Sequence, residues 1–350
     1  MDISFTLVMP AYNAEKYISD MIDSIINQTY TNWNLIIVDD GSTDCTGAIC
    51  DSVKDPRIKV IHNDNQGQML ARINGIMLAT GDYTLVVDAD DKLDKSCLEE
   101  VNNVLNNCNY DCVMFPYMEC DESLNKKGIT SSIPKNSGIM YTSEVMQWVI
   151  CSLNHGLVNK VIKTELIKKG AIESIHNRVR VNGDYALIIP ILCNITTSFF
   201  LNKSLYYYRI YGGSVSHNIS YQHIEDTDFV VHSILQVIKN HDLLDENLLK
   251  NVYLSYLNMI THMLEQLSSV RKIKINKIMF LYTKQVYINS EKYENLTNFS
   301  LRKYIELLVL RKKFFFLNSI YLFNYYLTKF ARKLLRTQKI FLKSFSVFDK

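Results

Sequence analysis

Tyr83-Thr84-Leu85-Val86-Val87-Asp88-Ala89-Asp90-Asp91 runs from an apolar, β-branched stretch straight into three carboxylates within four positions. Side chains alternate along an extended chain, so Asp88 and Asp90 are expected on one side of the strand end, where two like charges need a cation between them. Oxygen-only ligands of this kind suit Mg²⁺ or Mn²⁺ better than zinc, and Mg²⁺ is commonly held by one or two carboxylates plus the phosphates of a substrate. The competing reading is a surface turn of solvated acids capping the following helix. What precedes the cluster decides between them.

Upstream, short β-rich runs alternate with helical patterns. Phe5–Met9 reads as a strand, and Tyr17–Gln28 carries apolar residues at 17, 18, 21, 22, 25 and 26, the spacing of one helix face. Leu35–Val38 is a second strand, after which Thr43 or Asp44 can cap a helix to about Val53. Ile58–Ile61, the helix Gln68–Ala79, the strand Tyr83–Val87, the helix Leu98–Leu105 and the strand Cys112–Phe115 continue the series. Consecutive strand–helix units predict an α/β fold with a doubly wound, Rossmann-like, mostly parallel sheet. Ligands of such sheets bind outside the carboxyl ends of the strands. Pro10-Ala11-Tyr12-Asn13, Asp39-Asp40-Gly41-Ser42-Thr43-Asp44 and Asp88-Ala89-Asp90-Asp91 follow the first, second and fourth strands, so all three fall on one rim. Arg72, one turn into the helix opened by Gly67, offers a fork that could face a diphosphate there; a salt bridge to a neighbouring acid is the alternative.

Several classes are excluded. No Gly-x-Gly-x-x-Gly follows the first strand and Gly-Lys-Ser/Thr is absent, so neither a dinucleotide cofactor nor a P-loop is indicated. The eight cysteines form no CxxC pair and no zinc spacing, which reads as reduced thiols. The N-terminus shows no basic, apolar and small-residue series of a secretory signal, so a cytoplasmic protein is expected.

The net charge of +2 hides an asymmetry: Leu301–Lys350 holds twelve basic residues against two acids, Glu306 and Asp349. On a helical wheel spanning about 314–345, Phe316, Ile320, Phe323, Leu327, Phe330, Leu334, Phe341 and Phe345 share one side. Lys329, Arg332, Lys333, Arg336, Lys339 and Lys343 share the other. Such a helix suits the interface of an anionic membrane, on the inner face of the cell membrane; packing on protein is the alternative, and no nucleic-acid partner is expected. Residues 314–327 are too short and too interrupted to span a bilayer.

The motifs together resemble the inverting family 2 glycosyltransferases of bacterial surface-polysaccharide type, whose nucleotide-sugar domain has the GT-A fold. Leu7-Val8-Met9-Pro10-Ala11-Tyr12-Asn13, Val38-Asp39-Asp40-Gly41-Ser42-Thr43-Asp44, Asn65-Gln66-Gly67, Ala71-Arg72-Ile73-Asn74-Gly75, Ala79-Thr80-Gly81-Asp82-Tyr83 and Val87-Asp88-Ala89-Asp90-Asp91 occur in the family's order and spacing. Asn159-Lys160, Asn182-Gly183-Asp184-Tyr185 and Leu205-Tyr206-Tyr207-Tyr208-Arg209 match its acceptor side more loosely. The resemblance implies a GT-A domain over 1–220, with 1–115 as nucleotide-sugar half and 116–220 as acceptor half, then a helical accessory region over 221–350.

It further implies that Asp40, with Asp39 beside it, binds the nucleotide base, with Tyr12 near the base and Arg72 near ribose or phosphates. Pro10 and Ala89 belong to the same nucleotide-binding motifs. By the same resemblance Asp90 ligates Mn²⁺ or Mg²⁺, Asp88 contacts ribose or metal, and Asp91 is a substitute ligand. Asp184 is the implied general base, although Gly183 stands where the family often has an acid; a helix N-cap is its structural alternative. Arg209 and His217 could approach the diphosphate under a lid hinged at Gly212-Gly213. The expected reaction moves a sugar from a nucleotide donor, a UDP-sugar as first guess, to a hydroxyl of a glycan or lipid-linked glycan. A sugar-binding scaffold and a sugar-nucleotide nucleotidyltransferase are the rivals.

Overall fold

The computed structural model describes residues 2–129, 136–152, 156–174, 179, 181–211 and 221–245, with isolated positions from 247 to 263. The chain divides into two units, Met1–Met259 and Ile260–Lys350, and the described fold is that of the first. The amphipathic helix expected over about 314–345, Gly212-Gly213 and His217 lie outside the described residues.

Strands β1 (Phe5–Ala11), β2 (Trp33–Asp39), β3 (Ile58–His62) and β4 (Tyr83–Val86) alternate with helices α1 (Ile18–Ile26), α2 (Thr46–Ser52) and α3 (Gln68–Leu78). There follow β5 (Lys92–Leu93), α4 (Cys97–Asn107), β6 (Cys112–Met114), β7 (Tyr117–Cys120), β8 (Lys126–Ile129), β9 (Gly138–Tyr141) and α5 (Thr142–Ser152). The last elements are β10 (Lys160–Lys163), α6 (Thr164–Glu173), α7 (Gly183–Cys193), β11 (Thr197–Phe200), β12 (Tyr206–Arg209) and α8 (Tyr221–Asn240). An eight-stranded sheet has the order β3-β2-β1-β4-β10-β6-β11-β9, and a four-stranded sheet the order β5-β12-β7-β8.

The expected parallel, doubly wound half is present: β3, β2, β1 and β4 pair in parallel. Beyond β4 the pattern changes, because β10 inserts antiparallel to both β4 and β6. β6 therefore points the same way as β4 without touching it. β1 is buried along its whole length, as a central strand covered on both faces should be. On one face Phe5, Leu7, Met9, Leu35, Ile37 and Leu85 meet the apolar stripe of α1 (Ile18, Met21, Ile22, Ile25); on the other, Ile36 and Val38 meet Ala71 of α3. Gly75 lets α3 lie directly on the sheet, since a Cβ there would stand 2.4 Å from Val8 Cγ1.

Two boundaries differ from the sequence reading. β1 continues through Pro10 and Ala11, so these residues end the strand rather than open the turn. Proline is tolerated in this central strand because β4 stops pairing at Val8–Val86, before Pro10. At α2 the helix begins at Thr46, and Asp44 accepts its backbone N–H (2.9 Å) from outside the helix.

Asp111 fastens the far half of the sheet. Its Oδ1 accepts from Lys163 Nζ (2.8 Å) and its Oδ2 from the backbone N–H groups of Thr196 and Thr197 (2.9 and 3.1 Å). Burial alone would raise this carboxyl, but the ammonium and the two amides outweigh it and hold it below its ordinary value. A depressed folded value means stabilisation present at neutral pH and lost as pH falls through that value. Asp111→Asn is therefore expected to cost about 1–3 kcal/mol at pH 7 in urea unfolding. The difference from wild type should vanish in acid.

Candidate active site

The carboxyl ends of β1, β2 and β4 lie side by side, and the residues leaving them knit one surface. Asn13, in a left-handed conformation (φ 49°), accepts through Oδ1 from Thr43 N–H (2.8 Å), while its own N–H donates to Ser42 Oγ (3.0 Å). Tyr12 stands beside it, 51% exposed. The two acids after β2 are buried and engaged. Asp39 accepts from Ser42 N–H (3.0 Å) and lies 2.9 Å from His62 Nδ1; these partners outweigh burial and hold its carboxyl below the usual range. Asp40 accepts from the backbone N–H groups of Gln66 and Gly67, both at 2.8 Å, and so pins the loop that leads into α3. Gly41 is required between these loops: its φ is +73°, and a Cβ would meet Asn65 N at 2.9 Å.

The fourth strand's carboxylates separate. β4 ends at Val86 and the chain turns at Ala89–Asp90, so strict alternation does not carry from Asp88 to Asp90. Asp88 Oδ1 accepts from Arg72 Nη2 (2.6 Å). Asp90 Oδ2 accepts from Tyr211 OH (2.9 Å), and Tyr211 rests its ring on Tyr17 with centroids 5.0 Å apart. Asp91 is 1% exposed; Oδ2 accepts from Tyr206 OH (2.8 Å) and Oδ1 from Arg209 N–H (2.7 Å). Ala89 is buried between them. Asp91 is thus a structural acid with both oxygens spent, which corrects its reading as a substitute metal ligand.

Burial, then the neighbouring charges of the cluster, push Asp90 and Asp91 above the ordinary carboxylate range. Asp91 is compensated by a backbone N–H and a phenol. Asp90 is opposed by the Tyr211 phenol, its own backbone N–H and the Arg209 charge, yet stays raised, so a cation beside it would be favourable. This donor set, carboxylate oxygens alone, fits a hard divalent ion. Among the described residues no group of three His, Cys, Asp or Glu side chains forms a complete metal cage.

Arg72 is 2% exposed, and its two terminal nitrogens go to different carboxylates: Nη2 to Asp88 and Nη1 to Asp184 Oδ1. Both acids raise its already high value against the opposing effect of burial. The salt bridge foreseen as the alternative for Arg72 exists, and it is double. Asp184 lies in the first turn of α7, after an Asn182 N-cap in the left-handed conformation, so the helix-cap alternative for Asp184 is set aside. Burial raises the Asp184 carboxyl and Arg72 opposes this. Gly183 brings α7 against α3, where a Cβ would sit 3.2 Å from Met69 Cβ; an acid at this position would crowd that contact.

Arg209 differs from expectation. It is buried, with Nε on Asp90 O (2.7 Å), Nη1 on Glu122 O (2.7 Å), Nη2 on Asp20 Oδ2 (2.8 Å) and its fork over the Tyr17 ring (4.4 Å). With all three of its nitrogens engaged it braces the Asp90 turn rather than waiting for a diphosphate. Three contributors escaped the sequence reading: Tyr17, Tyr206 and Tyr211. The only trace of Tyr206 was its place in a tyrosine-rich strand. Lys160, fully buried at the start of β10, donates to Gly156 O (2.6 Å) and Asn159 Oδ1 (2.8 Å), and burial lowers it to about 8.

This arrangement, acids and a buried arginine gathered on the carboxyl rim of a Rossmann-like sheet, is that of a GT-A enzyme. The family described as Glycosyl transferase family 2 matches residues 6–157. Glycosyltransferase GlyG of Streptococcus pneumoniae serotype 4 is 30% identical over 220 residues, covering 60% of this chain and 72% of the relative. The putative teichuronic acid biosynthesis glycosyltransferase TuaG of Bacillus subtilis is 28% identical over 218 residues, covering 61% and 81%. Among solved structures, S. aureus TarS 1–349 in complex with UDP superposes with a TM-score of 0.61 at 19% identity, over 80% of this chain and 78% of that one. The same protein in complex with UDP-GlcNAc gives 0.60 at 19% identity, over 75% and 81%. The chain belongs to the family 2 glycosyltransferases and has the GT-A fold.

Proposed function

We propose that this glycosyltransferase is an inverting, metal-dependent enzyme that moves a sugar from a nucleoside diphosphate to a hydroxyl of a glycan or lipid-linked glycan, with Asp184 as general base. The observation that carries this reading is the meeting of Asp88 and Asp184, nearly a hundred residues apart, on one guanidinium. On this reading a donor-side acid and a proton acceptor would stand side by side at one rim.

Asp90 and Asp88 would hold Mn²⁺ or Mg²⁺, which supplies charge stabilisation to the departing diphosphate as a Lewis acid. Asp184 takes the acceptor hydroxyl's proton as its oxygen bonds to the anomeric carbon. The bond from that carbon to the phosphate oxygen breaks with its electron pair leaving on the diphosphate. One displacement inverts the anomeric configuration, so an α-linked donor gives a β-linked product. The rim loops joined by Asn13, Asp39 and Asp40 present Tyr12 and the neighbouring backbone to the base and ribose. UDP is the first choice of nucleotide, supported by the UDP and UDP-GlcNAc complexes of TarS.

A panel of nucleotide sugars, read by thermal stabilisation and hydrolysis with and without Mn²⁺, tests the reading. A ligand that binds only the folded state raises its apparent stability. Metal-dependent stabilisation by one donor is expected; stabilisation by none would remove the assignment.

The basic amphipathic C-terminal stretch supports attachment to an anionic membrane surface on the cytoplasmic side. No helix among the described residues is long and apolar enough to cross a membrane. Each Lys or Arg near such a surface contributes about 1 kcal/mol. Deleting Leu301–Lys350 is therefore expected to abolish co-sedimentation with phosphatidylserine vesicles in 0.1 M salt. Unchanged binding would return the stretch to a protein-packing role.

A further inference from the structure

The family resemblance places Arg72 near the ribose or phosphates of the donor, yet its surroundings describe a different task. The guanidinium is buried, each terminal nitrogen donates to a different carboxylate, and Nε lies buried with no hydrogen-bond partner. The two ion pairs fix the direction of the fork, and a shift toward a phosphate large enough to break either would leave an acid without its counter-charge beside a buried arginine.

Each of the three groups is held from behind. Arg72 rides on α3, which Gly75 seats on Val8 of the central strand. Asp88 is fixed through its backbone N–H, which donates to the fully buried Tyr206 OH (3.1 Å). Asp184 stands in the first turn of α7, where Gly183 rests on Met69 of the same α3. Arg72 takes only Oδ1 of Asp184; Oδ2 accepts no hydrogen bond among the described residues, and 35% of the side chain is exposed. One oxygen is fixed and the other is left to accept a proton.

We propose that Arg72 is a positioning residue: it ties the proton-accepting carboxylate of Asp184 to the donor-side carboxylate of Asp88, and it does not ligate the diphosphate. Donor handling and proton removal then share one geometric reference, although they belong to separate halves of the sequence. The inference rests on the reading of Asp184 as base. A bidentate fork is needed because two carboxylates must be met at once; a lysine ammonium keeps the charge without the two fixed directions.

The test uses the full chain with Arg72→Gln and Arg72→Lys. Two quantities are measured: the Kd of whichever of UDP, GDP, ADP, CDP and dTDP the wild type binds tightest with Mn²⁺, and kcat and KM for hydrolysis of the corresponding nucleotide sugar. Arg72→Gln is expected to lower kcat about a hundredfold while Kd and KM stay within about threefold, and Arg72→Lys to recover part of kcat. A nucleotide affinity weakened about tenfold or more with kcat retained would make Arg72 a phosphate ligand and overturn the proposal; so would an unchanged kcat. If Arg72→Gln does not fold, the double variant Arg72→Gln/Asp184→Asn, which removes one of the opposed charges, carries the binding measurement against Asp184→Asn alone. Equal affinity supports positioning and a tenfold loss overturns it. Failure of the base assignment is seen separately, as wild-type hydrolysis by Asp184→Asn, whereas failure here is read in nucleotide affinity with Asp184 intact.

Discussion

Asp184→Asn is expected to lower donor hydrolysis and sugar transfer by about a hundred- to ten-thousand-fold, the range of a positioned general base. The amide has the size of the acid, and its oxygen still accepts from Arg72, so the N-terminus of α7 keeps its place. It cannot take the proton from the attacking hydroxyl. Asp88 and Asp90 are untouched, so nucleotide affinity should stay near the wild-type value and the loss should fall on kcat. The pH profile gives a second check. Burial raises the Asp184 carboxyl, with Arg72 opposing, so wild-type activity should fall on the acid side above the ordinary carboxylate range. The residual activity of the variant should lack that limb. Equal rates in variant and wild type would remove Asp184 as base.

Asp90→Asn should act with opposite signs on the loaded and the metal-free protein. Loss of a metal ligand removes several kcal/mol of charge stabilisation at the leaving group, on the order of a thousandfold in rate. Mn²⁺-dependent stabilisation by nucleotide should disappear with it. Without metal, the same substitution should raise the melting temperature. Asp90 is held above its ordinary value first by burial and then by Asp88, so the ionised form is disfavoured by folding at neutral pH, and an uncharged isostere relieves that repulsion. The Tyr211 hydroxyl can still donate to the amide oxygen. A variant that was less stable without metal and still responsive to Mn²⁺ would move the metal away from Asp90.

The parallel half of the sheet was legible because each of its strands and helices is a local pattern: the helix-face spacing from Ile18 to Ile25 and the β-branched runs at 35–38 and 83–86 need no distant partner. β10 was not legible. Four residues with a lysine at each end, Lys160–Lys163, carry no periodicity, and their place between β4 and β6 is a long-range pairing. The site shows the same division. Carboxylates at strand ends could be found by reading, but which way each points depends on the turn after Val86. Asp91 therefore passed for a ligand when it is buried between Tyr206 and Arg209, and Arg209 for an available cation when each of its three nitrogens already has a partner. Asp184 was singled out as a candidate base through resemblance alone. No pattern within α7 separates it from an ordinary first-turn acid; only Arg72, reaching across from α3, does so.

The reversed strand has a consequence for how such an enzyme changes over time. Because β10 runs against its neighbours, Lys160 lies opposite Met114 at the finish of β6, and Lys163 lies opposite Tyr83 at the beginning of β4. The chain thus arrives at β10 on the same edge from which β1, β2 and β4 depart. A stretch lengthened or replaced between β6 and β10 returns to that edge without altering the pairings among β1, β2, β3 and β4. The connection can be retooled while the four-stranded parallel chassis stays as it is.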